Sequence, residues 1–181
     1  MSEFENDEIA LRRLTEQDLG HLLRWLNAPH VAMWWDGQVD YEGVTKKYGP
    51  LLEPDAPVKI YVIELSGRPI GFVQCYRHSI DKEYAAEIGI PNAAGIDYLI
   101  GEADCIGKGI GTRALSAVAE VVFDLYPDIE IVVADPQTGN TASWRALEKA
   151  GYERLDERTI KSEGAAGSGP CYIYGYRRVR L

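Results

Sequence analysis

Ile106-Gly107-Lys108-Gly109-Ile110-Gly111-Thr112 sits directly after a predicted strand and opens a long helical stripe. Three glycines in five positions let the backbone turn its N–H groups toward one point, and the helix N-terminus adds a positive field. That geometry suits a pyrophosphate. The pattern is not the P-loop, because no Gly-Lys-Ser/Thr follows a four-residue spacer, and G-x-G-x-G is not the dinucleotide fingerprint. Taken alone, the glycines leave a structural turn and an anion site equally open, so the flanking elements decide.

Upstream of the turn, residues 95–100 read as a short strand. Downstream, Leu115, Val118, Ala119, Val122 and Leu125 form one helical stripe closed by Pro127. Residues 129–134 carry their apolar side chains in one run, the mark of a strand buried on both faces. Residues 140–150 predict a helix ended by Gly151. In residues 171–179, Tyr172, Tyr174 and Tyr176 alternate as a final strand.

Working back toward the N-terminus, residues 8–14 read as a first strand. Thr15-Glu16-Gln17-Asp18 then forms a capping box with Thr15 as N-cap, followed by Leu19, Leu22, Leu23 and Leu26 at helical spacing. A weaker helix covers 41–52. Val58–Leu65, Ser66-Gly67 and residues 68–76 give a strand–turn–strand signature. Residues 81–92 read as a polar, acidic connector, and the Gly-rich stretch 162–169 as a hairpin tip. The order β, α, α, β, β, β, α, β, α, β, β predicts an α/β chain, antiparallel in its first half with a parallel crossover in the second.

With 181 residues, 46% hydrophobic and 26% charged, the chain suits one globular domain spanning 1–181 and excludes disordered and fibrous classes. No internal repeat is visible. The net charge of −9 disfavours nucleic acid and favours a small cationic substrate. Twelve of the acids lie between Asp36 and Asp104 against six Lys and Arg. Cys75, Cys105 and Cys171 show no pairing or metal spacing, which predicts a reducing compartment and no metal. No apolar run approaches the ~18 residues of a membrane span. Met1-Ser2-Glu3-Phe4-Glu5 is acidic, unlike a secretory signal. The expectation is a cytoplasmic protein without a membrane partner, and a monomer is compatible with the sequence, which leaves the oligomeric state open.

The strand, the G-K-G-I-G-T turn, the long helix, the strand with Asp135-Pro136, and Asn140 with its helix ending Glu148-Lys149-Ala150-Gly151-Tyr152 resemble the cofactor half of the GNAT acetyltransferases. Leu14-Thr15-Glu16-Gln17-Asp18-Leu19, Arg24-Trp25-Leu26-Asn27, Trp34-Trp35, Arg68-Pro69-Ile70-Gly71 and Gly95-Ile96-Asp97 extend the likeness over most of the chain, toward the aminoglycoside 6′-N-acetyltransferases. The resemblance implies a mixed, mostly antiparallel sheet flanked by helices, with splayed strands forming an acetyl-CoA cleft. It implies that Gly107, Lys108, Gly109, Ile110, Gly111 and Thr112 wrap the pyrophosphate of acetyl-CoA. Tyr98, Leu99 and Ile100 would hold the pantetheine arm and acetyl group, with Asn140 helping.

Asp97 matches the family's general base. The chemistry needs one, because an alkylammonium has no lone pair until a proton leaves. Trp34 and Trp35 can wall a sugar or an ammonium by stacking and cation–π contact, although at least one should pack into the core. Asp135 matches an acid that contacts substrate amines, while Asp81 and Glu83 are expected to add negative charge to the same cleft. Two positions depart from the family. Leu147 stands where a tyrosine often protonates the leaving thiolate, and Ile106 stands where Gln or Arg often opens the turn. His21, His30 and His78 read as surface or packing residues. Alternative acceptors are a siderophore hydroxylysine or a protein N-terminus; a non-catalytic acyl-CoA-binding module is the third reading.

Overall fold

The computed structural model describes residues 7–35, 37, 39–161 and 169–178. The N-terminal acidic stretch, Asp36, Val179 and most of the Gly-rich segment at 162–168 lie outside the described residues. The elements are β1 (Ile9–Arg13), α1 (Leu19–Leu26), α2 (Pro29–Ala32), α3 (Tyr41–Tyr48), β2 (Val58–Leu65), β3 (Arg68–Arg77), α4 (Lys82–Ile88), β4 (Ala93–Ile100), α5 (Ile110–Leu125), β5 (Ile131–Ala134), α6 (Thr141–Lys149), β6 (Glu153–Ile160) and β7 (Gly169–Arg177). The strands form one seven-stranded sheet in the order β1-β2-β3-β4-β5-β7-β6. Every neighbouring pair is antiparallel except β4 and β5, which the α5 crossover makes parallel. The predicted α/β class, the mixed sheet and the crossover are all present.

Helices cover both faces of the sheet, and strand alternation sorts side chains between them. On one face, Leu19, Leu22, Trp25 and Leu26 of α1 pack on Ile60, Val62, Phe72 and Leu99. On the other, the α5 stripe of Leu115, Val118, Ala119 and Val122 packs on Val73, Cys75, Ile96 and Val132. Asp97 pairs in register with Gln74, and Tyr98 with Val73, so consecutive residues of β4 serve opposite faces.

The capping box expected with Thr15 as N-cap is present, and only the first turn departs from the expected helix. The turn at Glu16–Asp18 is 3₁₀, and the Asp18 carboxylate accepts from the Thr15 amide at 2.9 Å and the Thr15 hydroxyl at 2.7 Å. Arg12 adds two bonds to the same carboxylate at 2.7 and 2.8 Å. Burial works to raise the Asp18 pKa, but the bonds from Arg12 and Thr15 hold it down at about 2.

A second difference lies at 81–92, where α4 replaces the expected connector. Asp81 caps the helix, accepting from the Glu83 and Tyr84 amides, and Gly89 ends it in the left-handed conformation. With two buried side chains, Tyr84 and Ile88, seven residues carry too little periodicity to announce a helix. Among the described residues, no helix is long and apolar enough to cross a membrane.

Candidate active site

The site begins where the parallel pair comes apart. β4 meets β5 at only three positions, Ala93–Ile131, Ala94–Val132 and Gly95–Val133. Beyond Gly95, β4 keeps its pairing with β3 as far as Ile100 but, among the described residues, has no strand on its other side. The free edge offers backbone N–H and C=O groups to a ligand. Asp97 lies on this stretch and Asp135 directly follows β5, so the divergence sets the two carboxylates on either side of one gap.

Each carboxylate has a tyrosine. The Tyr76 hydroxyl and Gln74 Nε2 reach Asp97 at 3.4 Å each, long for hydrogen bonds. The Tyr76 ring crosses Gly95, where a Cβ would stand 2.5 Å from it, so only glycine there admits the ring. Tyr84 of α4 donates to Asp135 at 2.8 Å. Buried His78 packs edge-on against Tyr84, with ring centroids 5.4 Å apart. Burial, then the charge of Asp135, pushes Asp97 up to about 7 against the bonds from Tyr76 and Gln74. Burial raises Asp135 to about 6 against the Tyr84 bond. A carboxylate that titrates near neutrality is suited to taking and releasing a proton.

Asp97 and Asp135 border a small cavity of about 40 Å³ together with Trp34, Trp35, Tyr98 and Ser143. Trp35 also packs edge-on against Phe72 at 5.3 Å, the expected core anchor of the pair. The cavity shares Trp34, Trp35, Tyr98, Asn140 and Ser143 with a larger cleft of about 490 Å³. That cleft runs between the free edge of β4 and α6 to the glycine turn, where Gly107, Gly109, Gly111 and Thr112 line it. Gly107 at φ 74° and Gly109 at φ 78° take the left-handed conformation, with Gly109 as the N-cap of α5.

Several expected residues take other positions. Ile110 is fully buried beneath the turn beside Ile70 and Ala114, and Lys108 is exposed outside the cleft wall. Asn140 borders both cavities, but its side-chain oxygen caps α6 by accepting from the Ser143 amide at 3.2 Å. Asp81 and Glu83 are exposed at the start of α4 and border neither cavity; Tyr84, one residue on, reaches the site. Leu147 lies on the core-facing side of α6, buried. His30, read as surface or packing, lines the cleft with Nε2 3.0 Å from the Ile100 carbonyl oxygen. That oxygen can only accept, so Nε2 carries a proton.

Sequence reasoning missed Arg145 and Lys149, which give the α6 wall of the cleft its positive charge. Their i, i+4 spacing on the helix after Asn140 was the available signal. It missed Tyr76 and Tyr84 as well, which no spacing connects to the carboxylates they bond.

Residues 15–160 match the family described as acetyltransferase (GNAT) domain. The chain is 36% identical over 154 residues to the aminoglycoside N(6′)-acetyltransferase type 1 of Klebsiella pneumoniae, covering 82% of this chain and 76% of that one. It is 25% identical over 151 residues to the lysine N-acyltransferase MbtK of Mycolicibacterium paratuberculosis, covering 82% of this chain and 66% of that one. The crystal structure of aminoglycoside acetyltransferase AAC(6′)-Ib in complex with coenzyme A and kanamycin superposes with a TM-score of 0.82 at 32% identity, covering 94% of this chain and 95% of that one.

Proposed function

The chain belongs to the GNAT acetyltransferase family, and from that premise we propose that it transfers the acetyl group of acetyl-CoA to the 6′-amine of an aminoglycoside. The cleft suits the co-substrate by its chemistry. The glycine turn at Gly107, Gly109, Gly111 and Thr112, opening α5, can offer backbone amides to a pyrophosphate, Arg145 and Lys149 would offset its anionic charge, and the free edge of β4 matches an extended amide-bearing arm. The adjoining cavity suits the acceptor, with Trp34 as an aromatic wall and Asp135 as a counter-charge for ammonium groups.

Asp97 is the residue on which this reading stands. It is a half-buried carboxylate on the wall of the smaller cavity, one residue before Tyr98, which borders both cavities, and next to the strand edge where the acetyl group would lie. It takes the proton of the attacking ammonium, and the free amine then displaces the thiolate directly, with no covalent enzyme intermediate. The cationic acceptor favours the ionised form of Asp97, so substrate arrival readies the base. The reaction belongs in the compartment that holds acetyl-CoA. We therefore assign the chain to the cytoplasm, where its three buried free thiols would stay reduced.

Thiol release from acetyl-CoA across a panel of aminoglycosides, hydroxylysine, lysine and short peptides tests the reading. Saturable release with 6′-amino aminoglycosides is the expected result. Release with hydroxylysine or lysine alone would overturn it in favour of an amino-acid side-chain acceptor, the second reading, which the lysine N-acyltransferase relative supports. Gly109→Val tests the cofactor half separately. A β-branched residue forced to φ 78° costs about 2 kcal/mol or more, so CoA affinity should fall by at least about tenfold in calorimetry.

A further inference from the structure

Acetyl transfer leaves a second proton to place. When the amine nitrogen bonds to the thioester carbon and the C–S bond breaks, its electron pair goes to sulfur, and the departing thiolate must gain a proton to leave as the free thiol, a transfer that eases departure when it begins in the transition state. Sulfur departs where the two cavities meet. Trp34, Trp35, Tyr98, Asn140 and Ser143 border both, and of these only Tyr98 and Ser143 carry a hydroxyl. A phenol, with an ordinary pKa of about 10, is far more acidic than an alcohol. Elsewhere in the cleft, His30 directs its Nε2 proton at the Ile100 carbonyl, and position 147 offers only a buried leucine.

We propose that Tyr98 is the acid that protonates the departing thiolate, with Ser143 as its positioning residue. This assignment rests on the acetyl-transfer reading above. The Tyr98 hydroxyl reaches from β4 across the cleft to α6, 3.1 Å from the Ser143 carbonyl oxygen and 2.8 Å from the Ser143 hydroxyl. The carbonyl accepts the phenol proton, so the serine hydroxyl is left to donate to the phenol oxygen. When sulfur is present, the phenol O–H turns from the carbonyl to it while the serine bond is kept. The O–H bond breaks, sulfur gains the proton, and the phenolate is held by Ser143. The phenolate then recovers a proton from the amide nitrogen through water, as Asp97 passes the first amine proton to solvent. One turnover releases one proton and leaves both residues as they began. Burial holds the Tyr98 hydroxyl above its ordinary range, although the Ser143 bond works to lower it, so the phenol stays protonated at neutral pH.

Tyr98→Phe removes the proton and little else. The single-turnover rate, with enzyme in excess over acetyl-CoA, should fall by roughly 10² or more, while calorimetric CoA affinity is unchanged. Titrating the thiol of bound CoA by its thiolate absorbance gives an activity-independent readout. Loss of a donor to sulfur should raise the apparent pKa of that thiol. Ser143→Ala should lower the single-turnover rate roughly fivefold, the worth of one hydrogen bond. A Tyr98→Phe rate within ~3-fold of the unmodified chain, together with an unmoved thiol titration, would overturn the assignment, since a general acid is worth at least ~10². So would a rate loss that only tracks weakened CoA binding, which marks a strut between β4 and α6. If Tyr98→Phe fails to fold, a Ser143→Ala chain with unaltered rate and thiol titration overturns it instead. Failure of the unmodified chain to acetylate any acceptor would sink the transfer reading, yet the thiol titration would still report on Tyr98.

Discussion

Asp18 and Asp97 are both carboxylates withdrawn from water, and they are held in opposite ways. Asp18 accepts four bonds of 2.7–2.9 Å from Arg12 and Thr15, and its pKa lies near 2. Asp97 has two partners at 3.4 Å and a second acid close enough to help push it to about 7. The first arrangement favours the charged form and ties α1 to β1. The second leaves the charge poorly satisfied on the wall of the smaller cavity. Burial alone therefore does not decide what an acid does; the donors around it do.

Substitutions at the two acids test that contrast. The largest expected effect is in rate. Asp97→Asn keeps size and hydrogen-bonding capacity but removes the proton acceptor, so kcat at neutral pH should fall by roughly 10²–10⁴. Asp18→Asn should leave kcat near that of the unmodified chain, as assayed by thiol release.

Stability should respond the other way. Asp18→Ala strips Arg12 and Thr15 of their partner and should cost about 2 kcal/mol in denaturant unfolding at neutral pH, a figure discounted because Arg12 is more than a third exposed. The folded pKa of Asp18 is depressed, so its contribution is full above the ordinary value of 3.8 and is lost as pH falls through about 2. Asp97 has the opposite sign: its raised pKa favours folding at low pH, and that contribution is lost as pH rises through about 7. Asp97→Asn should therefore match or exceed the unmodified chain in melting temperature above neutrality. The smallest effect is at Asp135. Asp135→Asn removes a charge that helps hold Asp97 up, so the acid limb of kcat/KM should move to lower pH by about one unit or less.

How much was legible in the sequence follows from what each half of the site is made of. The cofactor half is mostly backbone. Glycines in a fixed spacing, a strand before them and a helix after them are local features, and the cleft wall at Gly107, Gly109, Gly111 and Thr112 follows from them. Ile110 fell outside that wall because the same turn starts a helix whose first residue faces the core. The acceptor half is assembled from side chains that sequence keeps far apart. Tyr76, Tyr84, Asp97 and Asp135 come from β3, α4, β4 and the end of β5, and only pairing register and the short α4 bring them together. Asp97 itself was readable through resemblance and the need for a base. The connector acids Asp81 and Glu83 were proposed on charge, whereas the residue of α4 that turns inward is the uncharged Tyr84.

The pH dependence of the single-turnover rate, measured side by side for the unmodified chain and Asp97→Asn, tests the role of Asp97 most directly. In the unmodified chain the rate should rise through a limb near or somewhat below 7 and level off, since a bound cationic amine favours ionised Asp97. In Asp97→Asn that limb should be gone, the rate should climb steadily as more acceptor arrives already deprotonated, and the gap between the two should narrow toward high pH. CoA affinity should match throughout. Parallel profiles, with the limb intact in Asp97→Asn, would show that another group takes the proton and that Asp97 is not the base.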